Sequence, residues 1–459
     1  MSNNNLCVIG GGQYLPPGHP KTEEVNQQYK LPNPAYNQAL GLRDKGKWIQ
    51  LPEKHLFACQ MIPHEHPWGG GLAVPRSVDL GKDGFNVVDR RSFPEAQPAE
   101  PQDSFELRPY QDDALGAWTK AGGEGVIVAP CGSGKTAIGL AAVATVNTKA
   151  LVLVHTKDLA TQWIQRCRGS LKTEATMYGG GQRDDSGRVV VATFQTLDRM
   201  SWVDRYKWGQ QFGLCIVDEC HHVPSATFCS VMFTMSARFR LGLTATPTRA
   251  DGLTNILWWH LGEMLFEITN SHLAKQGHVV PPRVEWLYSD WTGPGHQVDW
   301  SKLITKMTES PNRNDFILER VIKALDNGRQ VLILSDRVAH CEHLADMLCQ
   351  RGYSAEALVG KLSKKRREDL LERANNQALQ VICATTVADE GLDLPSLDTV
   401  VLTTPTKAMG RIQQRIGRVM RPHPEKKAPL VIDLIDDIGS MRGLAKKRLK
   451  LYTRIGCQT

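Results

Sequence analysis

Ala129-Pro130-Cys131-Gly132-Ser133-Gly134-Lys135-Thr136 is a run with the chemistry to hold phosphate. It follows the apolar stretch Gly125-Val126-Ile127-Val128 and precedes the helix-forming stretch Ala137 to Val146. Strand, glycine-bearing loop and helix in that order aim backbone N–H groups at an anion, and Gly132 and Gly134 remove side chains that would block it. Lys135 can reach the β- and γ-phosphates, and Thr136 can hold Mg²⁺. Ala129 stands where the strict pattern has Gly. A second chemically able pair, Asp218-Glu219, ends the apolar run Leu214-Cys215-Ile216-Val217, with His221 close behind. An acid at a strand end opposite a phosphate loop can hold Mg²⁺, and its neighbour can orient and deprotonate the attacking water. The two stretches together point to ATP and Mg²⁺ as cofactors more strongly than either alone.

These groups need a scaffold that gathers them. Strands at Ala150 to Val154, Arg188 to Thr193, Leu214 to Val217 and Phe239 to Leu243 alternate with helix-forming segments. That alternation predicts a parallel sheet covered on both faces, with active groups at the carboxyl ends of its strands. A second alternating unit follows a crossing at 281–312. It has strands at Gln330 to Leu334, Val381 to Ala384 and Thr399 to Leu402, and a helix around Arg411 to Met420. It contains no second phosphate loop. Arg418 and Arg421 lie three apart, which places them on one helix face as candidate arginine fingers. Before the phosphate loop, Phe105 to Gln111 opens a helix to Lys120, and the Gln111 amide could read adenine.

The 459 residues suggest about three domains. No apolar run approaches a membrane span, and Met1-Ser2-Asn3-Asn4-Asn5 has no signal-peptide charge pattern, so the expected location is cytoplasmic, or host cytoplasm if phage-encoded. Eleven scattered cysteines without a Cys-x-x-Cys pair fit reduced thiols. The net charge is +7, and residues 405–459 alone hold thirteen Lys/Arg against four Asp/Glu. Such a basic end suits a polyanionic partner.

Residues 1–30, with Gly10-Gly11-Gly12 and Pro16-Pro17, read as flexible or loosely draped. Short alternating runs from Lys47 to Val88 read as a small β-rich domain. Cys59, His64 and His66 lack the second ligand pair a metal site needs. Lys45, Lys47, Trp48, Lys54 and Phe57 could grip nucleic acid or simply furnish a small core. The proline- and acid-dense stretch 92–104 reads as a linker. The expected division is 1–91, an N-terminal accessory domain that could bind DNA; 92–104, the linker; 105–280, the ATP-binding domain; and 281–459, the second domain.

From Arg108-Pro109-Tyr110-Gln111 to the C-terminus the chain resembles superfamily 2 helicases. Ala129 to Thr136 resembles motif I, His155 to Gln162 motif Ia, and Ala192 to Leu197 the next DNA-contacting motif. Asp218-Glu219-Cys220-His221 is similar to motif II of the DExH type. Leu243 to Pro247 resembles motif III, Ala384 to Leu394 motif V, and Gln414 to Arg421 motif VI. Leu261 to Thr269 and Gly277 to Pro281 resemble the XPB-like group, although Arg249-Ala250-Asp251 lacks that group's central Glu. Asp433 to Asp437 and Lys446 to Tyr452 resemble the ends of UvsW-type phage branch-migration helicases.

The resemblance implies an α/β fold of two tandem RecA-like parallel-sheet domains, with ATP between them, beside the β-rich N-terminal domain. It implies catalytic roles for Lys135, Asp218, Glu219, His221, Gln414, Arg418 and Arg421, with Mg²⁺ on Thr136 and Asp218. Arg108, Gln111, the loop 129–136, Gly391 and Asp393 would bind the nucleotide. Thr244 and Thr246, with His221, would couple hydrolysis to movement. Thr156, Thr193, Gln195, Arg249, Ser335, Arg337, Thr385 and Thr386 would meet the nucleic acid. The implied activity is a 3′–5′ DNA helicase or translocase acting on forked, branched or single-stranded DNA, with a monomer as the simplest state. An RNA helicase, a transcription-linked duplex translocase, and a nucleic-acid-binding scaffold with a silent ATP site remain the alternatives.

Overall fold

Every residue of the strands Ala150–Val154, Val189–Thr193 and Leu214–Asp218 is buried, as expected of strands covered on both faces. They belong to a computed structural model that describes residues 6–44, 50–65, 70–83, 85–95, 106–130, 132–222, 225–249, 252–294, 298–385, 394–406, 409–420, 422–423 and 426–459. Two compact units emerge: Met1–Ala129 with Gly134–Glu267, and Ile268–Thr459 with Pro130–Ser133.

The first unit holds strands β1 (Leu6–Ile9), β2 (Gln13–Leu15), β3 (Lys30–Pro32), β4 (His55–Phe57), β5 (Gln60–Ile62), β6 (Gly71–Val74) and β7 (Asn86–Asp89). They are followed by β8 (Glu124–Val128), β9 (Ala150–Val154), β10 (Ala175–Gly179), β11 (Gln182–Arg183), β12 (Val189–Thr193), β13 (Leu214–Asp218), β14 (Phe239–Thr244) and β15 (Met264–Glu267). The large sheet runs β11-β10-β12-β9-β13-β14-β8-β15 and is parallel apart from the β10–β11 hairpin. The smaller sheet runs β5-β6-β2-β1-β7, and β3 pairs with β4.

The N-terminal stretch read as draped is the middle of that smaller sheet. β1 pairs with β2 and β7, and Cys7, Tyr14 and Leu15 are buried. Gly10-Gly11-Gly12 serves close packing. A Cβ on Gly11 would come within 2.1 Å of the Phe233 carbonyl oxygen, and one on Gly12 within 2.7 Å of the Phe233 ring. Only glycine tolerates such an approach. The region also carries helices at Thr22–Gln28 and Pro34–Arg43, which the alternating pattern did not suggest.

Tyr14, Ile62 and Ala73 share one apolar core with Val126, Leu151 and Phe233, so the N-terminal layer and the large sheet fold as one body. The Tyr14 hydroxyl donates to the Phe233 carbonyl, and the buried Arg240 donates to Gly11, Met232, Met235 and His260 carbonyls. The stretch read as a linker begins bonded to the same body. Ser92 N–H donates to Ser236 O, Ser92 Oγ to Phe212 O, and Thr148 Oγ1 to Pro94 O.

The second unit contains β16 (Arg283–Ser289), β17 (Val331–Leu334), β18 (Ala355–Leu358), β19 (Val381–Ala384), β20 (Thr399–Leu402) and β21 (Leu430–Asp436). They form an all-parallel sheet ordered β16-β21-β20-β17-β19-β18. Its core gathers Ile317, Leu344, Val381, Val401 and Ile432. The segment read as a crossing supplies the edge strand β16 and a helix at Trp300–Thr308. Among the described residues no helix is long and apolar enough to cross a membrane.

Candidate nucleotide site and its relatives

β8 ends at Val128, and a helix starts at Lys135 and runs to Val146. Between them Gly132 (φ +86°) and Gly134 (φ +80°) take left-handed backbone that a Cβ would strain. The Ser133 hydroxyl donates to Pro130 O across the turn. Gly134 is also pressed by the preceding helix. A Cβ there would meet Gln111 Nε2 at 2.4 Å, while Gln111 Oε1 accepts from Arg108 N–H at 2.9 Å. Gln111 is thus buried and capping its own helix beside the loop.

The acids stand where β13 ends. Asp218 Oδ2 accepts from Trp163 Nε1 at 2.8 Å, and Oδ1 accepts from Glu219 N–H at 2.9 Å. Burial, then the neighbouring Glu219 charge, pushes the Asp218 carboxyl up to about 6, against the pull of Lys135. Lys135 Nζ lies 3.1 Å from Glu219 Oε1 and 3.2 Å from Ala129 O. Glu219 holds left-handed backbone at φ +46°, a strained conformation for a residue with a Cβ. That strain aims its carboxylate back toward Lys135 and toward the end of β14, where Ala245 N–H donates to Oε2 at 3.4 Å. Thr244 Oγ1 lies 2.6 Å from His221 Nδ1 and 2.8 Å from Thr246 O, and the imidazole tautomer sets which atom donates in the first pair.

The set fits a magnesium–nucleotide. A glycine cradle at a helix N-terminus suits phosphate, and a fixed, buried carboxylate beside a lysine suits a cation bridging to it. Thr136 and Asp218 are the residues that would hold Mg²⁺, which when bound neutralises phosphate charge. Among the described residues no separate cluster of three or more metal-ligating side chains occurs. Cys59 is buried and its thiol is pushed up to about 12 by burial, the state of a core residue, and His66 lies outside the described residues.

Two family models match the chain in tandem. The Type III restriction enzyme res-subunit model covers residues 104–249, and the helicase conserved C-terminal domain model covers residues 315–423. These matches bear out the resemblance to superfamily 2 helicases. The chain is an ATP-driven nucleic-acid helicase built on two RecA-like folds. A putative ATP-dependent RNA helicase of Acanthamoeba polyphaga mimivirus is 28% identical over 84% of this helicase and 75% of its own length. The DNA 3′-5′ translocase XPB2 of Sulfurisphaera tokodaii is 27% identical over 80% of this helicase and 88% of its own length. A probable helicase of Escherichia phage T5 is 26% identical over 82% and 81%. Other relatives are longer, and this helicase spans 58% of the Halobacterium salinarum Rad25 protein. The Pyrococcus furiosus Hef helicase domain shares the fold at TM-score 0.50 and 18% identity, over 74% of this chain and 98% of its own.

The remaining sequence-derived residues of this helicase fall into three groups. Thr156, Thr193 and Gln195 gather at the ends of β9 and β12. Thr156 caps its helix through Leu159 N–H, Thr193 Oγ1 meets Thr196 Oγ1 at 2.8 Å, and Gln195 Nε2 donates to His155 O. A second group is turned inward. Arg249 is 7% exposed, and its charge acts on the Cys220 and Cys229 thiols. Ser335 is 2% exposed and bonded to His340 Nδ1, and Arg337 is tied to Ser301 and Thr305. Arg249 and Ser335 are thus buried, and Arg337 is partly buried and held by its own unit. Thr385 is nearly buried at the end of β19.

The third group escapes description. Cys131, Thr386, Gly391, Asp393 and Arg421 lie outside the described residues. The helix carrying Gln414 and Arg418 spans Met409–Val419. Sequence reasoning missed Trp163. Its signal was an indole five residues beyond Asp158 in the helix after β9, where Gly139 lets it in; a Cβ there would come within 2.5 Å of the Trp163 ring.

Proposed function

We propose that this helicase is a DNA motor, moving 3′ to 5′, that remodels branched DNA by fork reversal and Holliday junction branch migration in replication, recombination or repair. The observation carrying the branch-remodelling part is the N-terminal layer bonded into the first RecA-like sheet through Gly11, Tyr14 and Arg240. A branch held by that layer moves rigidly with the motor domain beneath it. The archaeal DNA 3′-5′ translocase among the relatives supports DNA as the track.

In the reaction, Lys135 pairs with phosphate in place of Glu219, and the released Glu219 carboxylate takes the proton of the attacking water. Asp218, held by Trp163, orients toward the cation site. His221, Thr244 and Thr246 link Glu219 to the end of β14, so a change at Glu219 is felt along that strand. Gln414, Arg418 and Arg421 are assigned to the same reaction on motif grounds. Thr156, Thr193 and Gln195 are the backbone contacts of the first unit, and binding weakens steeply with salt.

Steady-state ATP hydrolysis at fixed low salt, across single-stranded DNA, duplex, fork, four-way junction and RNA, tests this reading. Strongest stimulation by fork and junction is expected. Equal stimulation by plain duplex overturns it in favour of a simple translocase. Preference for RNA overturns it in favour of the RNA-helicase reading, which the mimivirus relative's name supports.

A further inference from the structure

The helix Gly439–Arg454 contains six basic residues and no acid. Arg448 turns inward, where Nε donates to Asp433 Oδ2 at 2.7 Å beside the Tyr452 hydroxyl. Arg442, Lys446, Lys447, Lys450 and Arg454 are exposed. This helix packs on β21, beside β16, the edge strand of the second sheet. Alternate β16 residues, Trp286 and Tyr288, line a cavity of about 540 Å³ together with Arg442, Lys446 and Leu449. Tyr288 is 68% exposed and Leu449 41% exposed. Trp286 is braced by Tyr452, ring centroids 5.5 Å apart. Of the acids at the cavity, Asp436 is engaged by Arg313 at 2.6 Å and Asp437 by Arg442, while Asp290 also lines it.

We propose that this face is an accessory site for single-stranded nucleic acid, with a base stacked on Tyr288 and phosphates tracked by Lys446 and Lys450. An exposed ring beside a row of cations at helical spacing matches how proteins hold single strands without reading sequence. The cavity is large enough for one nucleotide unit. Charge complementarity selects the occupant: the cationic helix row repels a basic partner, and the ring rewards a flat aromatic group more than an acidic side chain. The site uses none of the residues assigned to ATP. The inference rests on the proposed nucleic-acid function and adds a second point of grip for an unwound strand.

The test is fluorescence anisotropy of a labelled oligothymidylate with the full chain, without nucleotide, over a range of salt. Tyr288→Ala is expected to weaken binding roughly tenfold, while Tyr288→Phe, which keeps the ring, binds as wild type. Lys446→Ala with Lys450→Ala is expected to reduce the slope of log affinity against log salt by about 1.4. ATP hydrolysis without nucleic acid stays unchanged in all of them. Variants that match a binding wild type overturn this site alone. A wild type that binds no oligonucleotide overturns the nucleic-acid function itself. Binding displaced as readily by polyglutamate as by unlabelled oligonucleotide reassigns the face to acidic peptides and also overturns the proposal.

Discussion

At the start of β8, Glu124 accepts from Arg76 Nε at 3.1 Å, from Arg76 Nη2 at 2.7 Å and from Ser77 Oγ. Two strands away, at the end of β13, Asp218 accepts from one indole and one backbone N–H. Asp218 is buried and Glu124 partly buried in the same unit, and desolvation pushes both up. At Glu124 the charges of Arg76 and Arg240 and the bonds to Ser77 and Arg76 outweigh burial and hold it below its ordinary range. At Asp218 burial and Glu219 win, and the carboxyl sits at about 6. One end of the sheet saturates its charge and ties the N-terminal layer down. The other leaves its charge under-compensated, ready for a cation and a polyphosphate.

That contrast can be broken from either side. Glu219→Gln removes a proton acceptor and keeps the shape. Phosphate release is expected to fall about 10²–10⁴-fold, with fluorescent nucleotide binding retained. At the saturated end, Arg76→Ala takes from Glu124 its main guanidinium partner, leaving Ser77 Oγ and Arg91 at 3.7 Å, and leaves the Ala237 and Arg238 carbonyls without theirs. Chemical denaturation should show a loss of about 3–5 kcal/mol, while hydrolysis per folded molecule is unchanged. Equal loss of activity and stability would erase the distinction between the two ends.

Trp163→Phe deletes the bond to Asp218 without emptying the site. The Mg²⁺ concentration for half-maximal hydrolysis should rise several-fold, with a stability change of only about 1 kcal/mol. The effect of pH is of similar size. Below about 6 the Asp218 carboxyl carries a proton that Mg²⁺ must displace, so the apparent Mg²⁺ affinity falls up to tenfold per unit of acid. A carboxyl raised on folding costs stability at neutral pH and recovers it as pH falls through about 6, whereas Glu124, lowered on folding, loses its contribution in more acid solution. Mg²⁺ titrations of hydrolysis between pH 5 and 8 (about the range in which both forms of Asp218 coexist) read the first effect directly.

Local pattern determined much of this protein. The run Ala129 to Thr136, the apolar strand into Asp218-Glu219, and the alternation of buried strands with helices are all properties of consecutive residues, so sequence alone placed the phosphate loop, the acids and the two parallel sheets. Only tertiary structure decided what depends on residues far apart in the chain. Gly10-Gly11-Gly12 read as slack because its packing partner, Phe233, lies more than two hundred positions away. β16 hid in a proline-bordered crossing because its pairing with β21, not its own pattern, makes it a strand. Trp163 reaches Asp218 across 55 residues, and the opposed fates of Glu124 and Asp218 follow from which guanidiniums the fold brings near each. A carboxylate's identity is written in the sequence, but its charge state is set by desolvation and neighbours that exist only once the chain has folded.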